Sequence, residues 1–91
     1  MQMDSKFVKA ILLEALKSGK TTLIQVAKSN NIFAYSELVE ARKFLEEQNL
    51  IESKKIGRTR IIKLTENGMK FAKQLKNLEE IKNALRNRSE R

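Results

Sequence analysis

Residues 53–63 carry the most one-sided charge in the sequence. They include five basic side chains and no acidic one, namely Lys54, Lys55, Arg58, Arg60 and Lys63. Lysine and arginine neutralise phosphate groups and donate charge-assisted hydrogen bonds to their oxygens. The whole chain of 91 residues has a formal net charge of +8, which also favours a polyanionic partner. The segment is therefore predicted to bind phosphate groups, with a charged edge that prevents sheet aggregation as the alternative.

The residue types that most often carry catalysis or metal binding are missing. The sequence has no cysteine and no histidine, which removes disulfides, thiolate metal sites, the commonest metal ligand and the usual general base. The carboxylates fall on exposed faces of predicted helices. We therefore expect no enzyme, no metal site and no cofactor.

One short motif looks like the end of a phosphate-binding loop. Residues 18–22 read Ser-Gly-Lys-Thr-Thr, but Glu14 stands where that loop needs its first glycine. A helical pattern precedes the motif, whereas the loop follows a strand. Nucleotide binding is therefore not predicted.

Apolar residues at helical spacing predict three helices before the basic segment, at residues 5–18, 23–29 and 36–48. Asp4 or Ser5 can cap the first helix, and Gly19 can end it in the left-handed conformation. Residues 20–22 favour a β conformation and form either a short strand or the cap of the second helix. Asn49 can end the third helix, because asparagine tolerates a positive φ.

The spacing changes to a β period after Asn49. Residues 50–65 alternate between two faces, and Gly57-Arg58 forms a two-residue loop with glycine first, as in a type II′ hairpin. Pairing across this loop places Ile51 opposite Leu64 and Ser53 opposite Ile62 on the core-facing side.

A long final helix is predicted at residues 66–87, with Thr65 as its cap. Its apolar residues recur at intervals of four, three, three and four, at Phe71, Leu75, Leu78, Ile81 and Leu85. This is a seam with a period near 3.5, as in coiled coils. We predict dimerisation through Leu75, Leu78, Ile81 and Leu85, whereas a helix folded back on its own domain is the alternative.

The order of elements and two motifs resemble the winged-helix superfamily. Residues 44–52 resemble the end of its third helix followed by Leu-Ile and a strand, and residues 64–68 resemble its Leu-Thr-x-x-Gly motif. The resemblance covers residues 5–80 and implies a mainly α fold with a small β-hairpin (α+β), in which the hairpin is the wing. Residues 1–91 then form a single domain. The layout is similar to small archaeal winged-helix proteins whose final helix forms an antiparallel coiled coil, which implies a homodimer.

The resemblance also implies binding of double-stranded DNA. In a helix-turn-helix pair the second helix enters the major groove. The expected DNA-binding residues are Tyr35, Ser36, Glu37, Val39, Glu40 and Lys43 in the third helix, and Lys54, Lys55, Arg58 and Arg60 in the wing. The acidic residues of the third helix leave two interpretations open. Either Glu37 or Glu40 accepts a hydrogen bond from a base, or the helix lies shallowly and the wing supplies the affinity.

The resulting hypothesis is a homodimeric transcriptional regulator or chromatin-associated protein. No apolar run is long enough to span a membrane, and residues 1–4 lack the start of a signal peptide, so a cytoplasmic, nucleoid-associated protein is expected. No small-molecule effector is expected. A protein-interaction module that uses the acidic third helix is the alternative, and RNA binding is a further one.

Overall fold

The computed structural model describes residues 2–3 and 5–89. The helices are α1 (Lys6–Ser18), α2 (Leu23–Asn30), α3 (Tyr35–Glu47) and α4 (Glu66–Ser89), and the strands are β1 (Ile51–Ile56) and β2 (Thr59–Leu64). The predicted class, mainly α with a small hairpin, is confirmed. Among the described residues no helix is long and apolar enough to cross a membrane.

Local capping groups determine where the helices begin and end. The hydroxyl of Ser5 accepts a hydrogen bond from the Phe7 amide at 3.2 Å, and Asp4, the other predicted cap, lies outside the described residues. The Thr65 hydroxyl accepts from the Gly68 amide at 3.0 Å, as the prediction of a capping threonine requires. Residues with a positive φ follow three helices, with a φ of 82° at Gly19, 51° at Asn31 and 59° at Asn49, and of these Asn31 has the left-handed helical conformation.

Several predicted boundaries differ from the structure by one or two residues, and two of these differences have a clear local cause. The strand predicted at residues 20–22 is a single residue, because only Thr21 pairs with Ile62, through two backbone hydrogen bonds of 2.9 and 2.8 Å. Thr22 caps α2 instead, accepting from the Gln25 amide. Helix α3 begins at Tyr35 rather than Ser36, since the Ala34 carbonyl already accepts from the Leu38 amide.

The hairpin register is confirmed. Ile51 pairs with Leu64, and Ser53 pairs with Ile62. Gly57 has a φ of 62°, and Arg58 has no positive φ. A type II′ turn requires this combination, whereas type I′ needs a positive φ at both loop residues. The loop is therefore a type II′ turn, as predicted. One face of the hairpin turns toward the helices and the other turns away from them.

The core forms around α1. Its side chains Val8, Ile11 and Leu12 are fully buried, together with residues of α2, α3, β2 and α4: Val26, Leu38, Leu45, Ile62 and Ala72. The start of α4 packs tightly against the turn after α3. A Cβ at Gly68 would overlap the carbonyl oxygen of Leu50, so only glycine fits there. This close approach fixes where α4 leaves the domain.

Candidate nucleic-acid interface

A groove of about 270 Å³ lies between the two helices of the helix-turn-helix pair and the inner face of the hairpin. It is lined by Thr22, Leu23, Ile24, Tyr35, Val39, Arg42, Lys55, Arg58, Thr59 and Arg60. Four of these side chains are cationic and none is acidic. A lining of apolar and cationic side chains is suited to a ligand that presents phosphates together with flatter, less charged surface.

Helix α3 lines the groove with Tyr35, Val39 and Arg42. These residues are spaced i, i+4 and i+7, so they form one stripe along the helix. The neighbouring stripe, about 100° further around the helix, carries Glu40 and Lys43, whose charged groups lie 4.0 Å apart with side chains 65% and 57% exposed. The acidic residues of α3 therefore do not line the groove.

The other α3 residues that were predicted to bind DNA fall into two groups, one inside the lining of the groove and one outside it. Tyr35 is 47% exposed and Val39 is half-buried, and both contribute to the groove. Ser36 and Glu37 are exposed and lie outside its lining. Ser36 shares the outer stripe with Glu40. The surface that α3 offers to solvent is thus mixed in charge, whereas Arg42 is the only charged residue of α3 in the lining of the groove.

The adjacent residues Lys54 and Lys55 lie on opposite faces of the hairpin. Lys55 pairs across the strands with Arg60, and both side chains line the groove, as does Arg58 at the turn. Lys54 lies instead on the outer face, in a second concavity of about 370 Å³ that Lys20 and Lys63 also line. Of the four basic wing residues that were predicted to bind DNA, the structure therefore brings three together.

A chain of polar contacts joins α3 to the hairpin. One oxygen of Glu46, Oε1, accepts hydrogen bonds from Arg42 Nη1 at 2.7 Å and from the Ser53 hydroxyl at 2.5 Å. The Ser53 oxygen in turn accepts from Arg60 Nη1 at 3.3 Å. The Arg42 side chain is only 11% exposed, so its guanidinium is held within the protein.

This environment keeps Glu46 ionised. Partial burial acts to raise the pKa of its carboxyl, but the hydrogen bonds from Ser53 and Arg42 act in the opposite direction. The positive charges of Arg42 and Arg60 add to them, and the net effect is a pKa below the ordinary value for glutamate. Glu46 is therefore a charged link between two cationic walls of the groove.

The predicted dimerisation residues fall into two groups. Leu75 is 8% exposed and belongs to the core of the domain, so it needs no partner in order to be buried. Leu78, Ile81 and Leu85 are 48%, 57% and 58% exposed. The ion pair between Lys9 and Glu79, at 3.8 Å, lies where the apolar residues of α4 change from buried to exposed. An apolar seam of three residues thus continues beyond the domain.

Sequence reasoning missed two parts of the site. Arg42 was not among the residues predicted to bind DNA, although its spacing of i+7 from Tyr35 and i+4 to Glu46 was available as a signal. Thr22, Leu23 and Ile24 line the groove from the start of α2. The contact between Glu46 and Ser53 had no sequence signal, because it depends on how the hairpin packs against α3.

Solved structures with a similar fold have low sequence identity to the chain. A variant of ZitR from Lactococcus lactis is 24% identical, with a TM-score of 0.79 over 92% of this chain and 58% of its own. AdcR, the adhesin competence repressor from Streptococcus pyogenes, is 22% identical, with a TM-score of 0.80 over 96% of this chain and 66% of its own. AF1382 from Archaeoglobus fulgidus is 28% identical, with a TM-score of 0.72 over 86% of this chain and 88% of its own.

The chain spans less than two thirds of ZitR and AdcR. No protein-family model and no curated protein matches it in sequence. Other similar structures are described as a transcriptional regulator homologue from Pyrococcus horikoshii and a transcription regulator from Staphylococcus aureus. The structural neighbours ZitR, AdcR and the two described regulators are winged-helix proteins, and the four helices with one antiparallel hairpin of this chain match that fold. The chain therefore has the winged helix-turn-helix fold.

Proposed function

We propose that the protein binds double-stranded DNA as a homodimeric transcriptional regulator or chromatin-associated protein. The observation that carries this proposal is the groove between α3 and the wing, whose charged lining residues are all cationic. The fold is shared with AdcR, whose name describes a repressor. Such a groove attracts a polyanion and orients it between a helix and a hairpin.

In this proposal the two walls of the groove have different roles. Lys55, Arg58 and Arg60 neutralise backbone phosphates, and Arg58, at the tip of the wing, is in position to reach the minor groove. The exposed stripe of Ser36, Glu40 and Lys43 enters the major groove with the start of α3. Glu37 lies at that same end. Lys54, on the outer wing face, contributes long-range attraction rather than a direct contact.

The dimer is the second component of the proposal. Leu78, Ile81 and Leu85 are exposed apolar side chains on one side of α4, and a second copy of the same helix presents the matching surface. The dimer would hold two grooves at a fixed separation on one duplex. The expectation that no small-molecule effector takes part stays a prediction.

The salt dependence of binding to a random-sequence duplex tests this function. Three wing contacts in each protomer give six in a dimer, and at about −0.9 per contact the slope of log K against log salt is expected to be roughly −5. A slope near −2 would contradict the proposal that the wing carries the affinity.

A matched pair of variants locates the contacts. Lys55→Ala with Arg58→Ala removes two charges from the groove, and Lys54→Ala with Lys63→Ala removes two from the outer wing face. We expect the first pair of substitutions to make the slope of log K against log salt less negative by about 3 to 4 per dimer, and the second pair by less than about 1. Equal effects would show that the groove has no special role.

One observation favours the alternative, a protein-interaction module. Phe33, in the turn before α3, is 95% exposed and lies close in sequence to Glu37. Exposed aromatic side chains are enriched where proteins bind one another. This function would be favoured if the protein failed to bind any duplex at low salt.

A further inference from the structure

Four side chains form the polar connection between α3 and the wing: Arg42, Glu46, Ser53 and Arg60. Glu46 lies at its centre, because its Oε1 accepts from both Arg42, on α3, and Ser53, on β1. Arg60, on β2, is attached to Glu46 only through the Ser53 hydroxyl. A single carboxylate oxygen therefore joins α3 to both strands.

The wing has few other attachments along its length. Its base is held by the pairing of Thr21 with Ile62 and by the burial of Ile51 and Ile62. Between Lys54 and Thr59 the side chains are exposed. A two-stranded hairpin is marginally stable by itself and takes its orientation from what it packs against. The contact at Ser53 lies between the buried base and this exposed outer part.

We infer that Glu46 is a positioning residue for DNA binding. It holds the wing against α3, so that Lys55, Arg58 and the exposed side of α3 meet one duplex at the same time. This inference rests on the proposed DNA-binding function. Glu46 needs no contact with DNA in this role, because it acts through Ser53 and the strands that carry the wing cations.

The inference predicts an effect opposite in sign to that of simple electrostatics. Removing a carboxylate near a polyanion normally strengthens binding, since the repulsion between like charges is lost. Removing Glu46 is expected to weaken binding, because the wing loses its attachment. Glu47 provides the comparison, since it is the next residue, carries the same charge and is exposed.

The first test compares the affinities of four variants for a random-sequence duplex of about 30 bp, roughly three helical turns. We expect Glu46→Gln and Ser53→Ala to weaken binding about tenfold, as loss of a charge-assisted hydrogen bond does. Glu47→Gln should leave binding unchanged or strengthen it up to about twofold. Ser53→Thr retains the hydroxyl and should bind like the unmodified protein. Thermal unfolding of each variant confirms that it is folded, and Ser53→Ala carries the test if Glu46→Gln is not.

The second test measures the position of the wing without DNA. The chain has no cysteine, so spin labels can be attached at cysteines introduced for Lys28 in α2 and Ile56 in the wing, both of which are exposed. Dilution into unlabelled protein restricts the measurement to distances within one protomer. We expect the distance distribution to widen in Glu46→Gln and Ser53→Ala, but not in Glu47→Gln or Ser53→Thr.

The two tests separate the failure of this inference from the failure of the proposed function. An unchanged distance distribution in Glu46→Gln would overturn the positioning role whether or not DNA binds. A Glu46→Gln variant that binds DNA as tightly as Glu47→Gln would also overturn it. Failure of the unmodified protein to bind any duplex would overturn the DNA-binding function, and with it the role of Glu46 in binding.

Discussion

The groove and the distal part of α4, residues 78–85, differ in how their side chains are held. In the groove, Arg42 and Arg60 are fixed by contacts with Glu46 and Ser53 inside the same chain. In the distal part of α4, the apolar side chains at the seam are about half exposed. The first surface is held together by contacts within a protomer, whereas the second presents apolar side chains that the described residues leave about half exposed.

This difference separates two properties that a DNA-binding dimer needs. In the proposed function, the shape of the surface that binds the duplex is a property of the single domain, because the polar network and the hairpin register define it. The distance between two such shapes is a property of the proposed assembly, because it depends on how two copies of α4 pair. Changes in one region should therefore leave the other largely intact.

The largest expected effect comes from placing charge on the seam. Leu78→Glu combined with Ile81→Glu should yield a folded monomer, since each seam position would bury a carboxylate opposite its copy. Affinity for a duplex that spans both grooves should fall about 100-fold, because the second domain is no longer tethered to the first. Light scattering and DNA titration measure the two effects.

The control for this variant adds the same charge to the same helix. Lys76 and Asn83 are exposed and lie on the opposite side of the helix from the seam by helical spacing, so Lys76→Gln with Asn83→Glu, which changes the net charge by the same amount, should remain a dimer. A dimer that survives Leu78→Glu with Ile81→Glu would move the interface elsewhere, with α1 the next candidate, and the contrast between the two regions would no longer hold.

A smaller effect locates the boundary between the domain core and the seam. Leu75→Ala should lower the free energy of unfolding by about 2 to 4 kcal/mol at any protein concentration, because it leaves a cavity in the core. Ile81→Ala should lower it in a way that depends on protein concentration, because its effect is on association. Urea unfolding at two concentrations distinguishes them, and concentration dependence in Leu75→Ala would place the boundary closer to the start of α4.

The smallest expected effect is a pH dependence within the groove. The pKa of Glu46 is below its ordinary value, so its contribution to stability is complete above that value and is lost as the pH falls through the folded-state pKa. Glu46→Gln should therefore be less stable than the unmodified protein at neutral pH, and the two should converge as the pH falls from the ordinary pKa of glutamate through the lower folded-state pKa of Glu46. Thermal unfolding across this range measures the difference. A gap between Glu46→Gln and the unmodified protein that persists in acid would argue against the link through Ser53.

The hairpin was predictable from the sequence because its signals are local. Alternation of side chains, Gly57 in the turn and the requirement to bury Ile51 and Ile62 leave one register. The same alternation separates Lys54 from Lys55, but a count of basic residues does not reveal which of the two faces the helices. That assignment depends on the packing of the hairpin against α3.

The period of the apolar residues in α4 was predictable from the sequence. Which of these residues lie in the domain core, and which lie beyond it, was not. Leu75 and Leu78 belong to the same seam in the sequence, yet Leu75 is buried in the domain and Leu78 is not. The two environments produce the same pattern, because a helix buries one stripe whether its neighbour is in the same chain or in another. The single-residue pairing of Thr21 was missed for a related reason, since it depends on the distant residue Ile62.

Helix α4 leaves the domain at the close contact between Gly68 and the backbone of Leu50. This contact is the pivot about which the helix would tilt. About 17 residues separate Gly68 from Leu85, a length of about 26 Å at 1.5 Å per residue. A tilt of about 10° at the pivot would displace the far end by about 4 Å, comparable to the rise of one base pair, about 3.4 Å. Because Gly68 has no Cβ, it allows the contact that sets the direction of α4. In the proposed dimer, that direction would determine which base pairs the two domains contact.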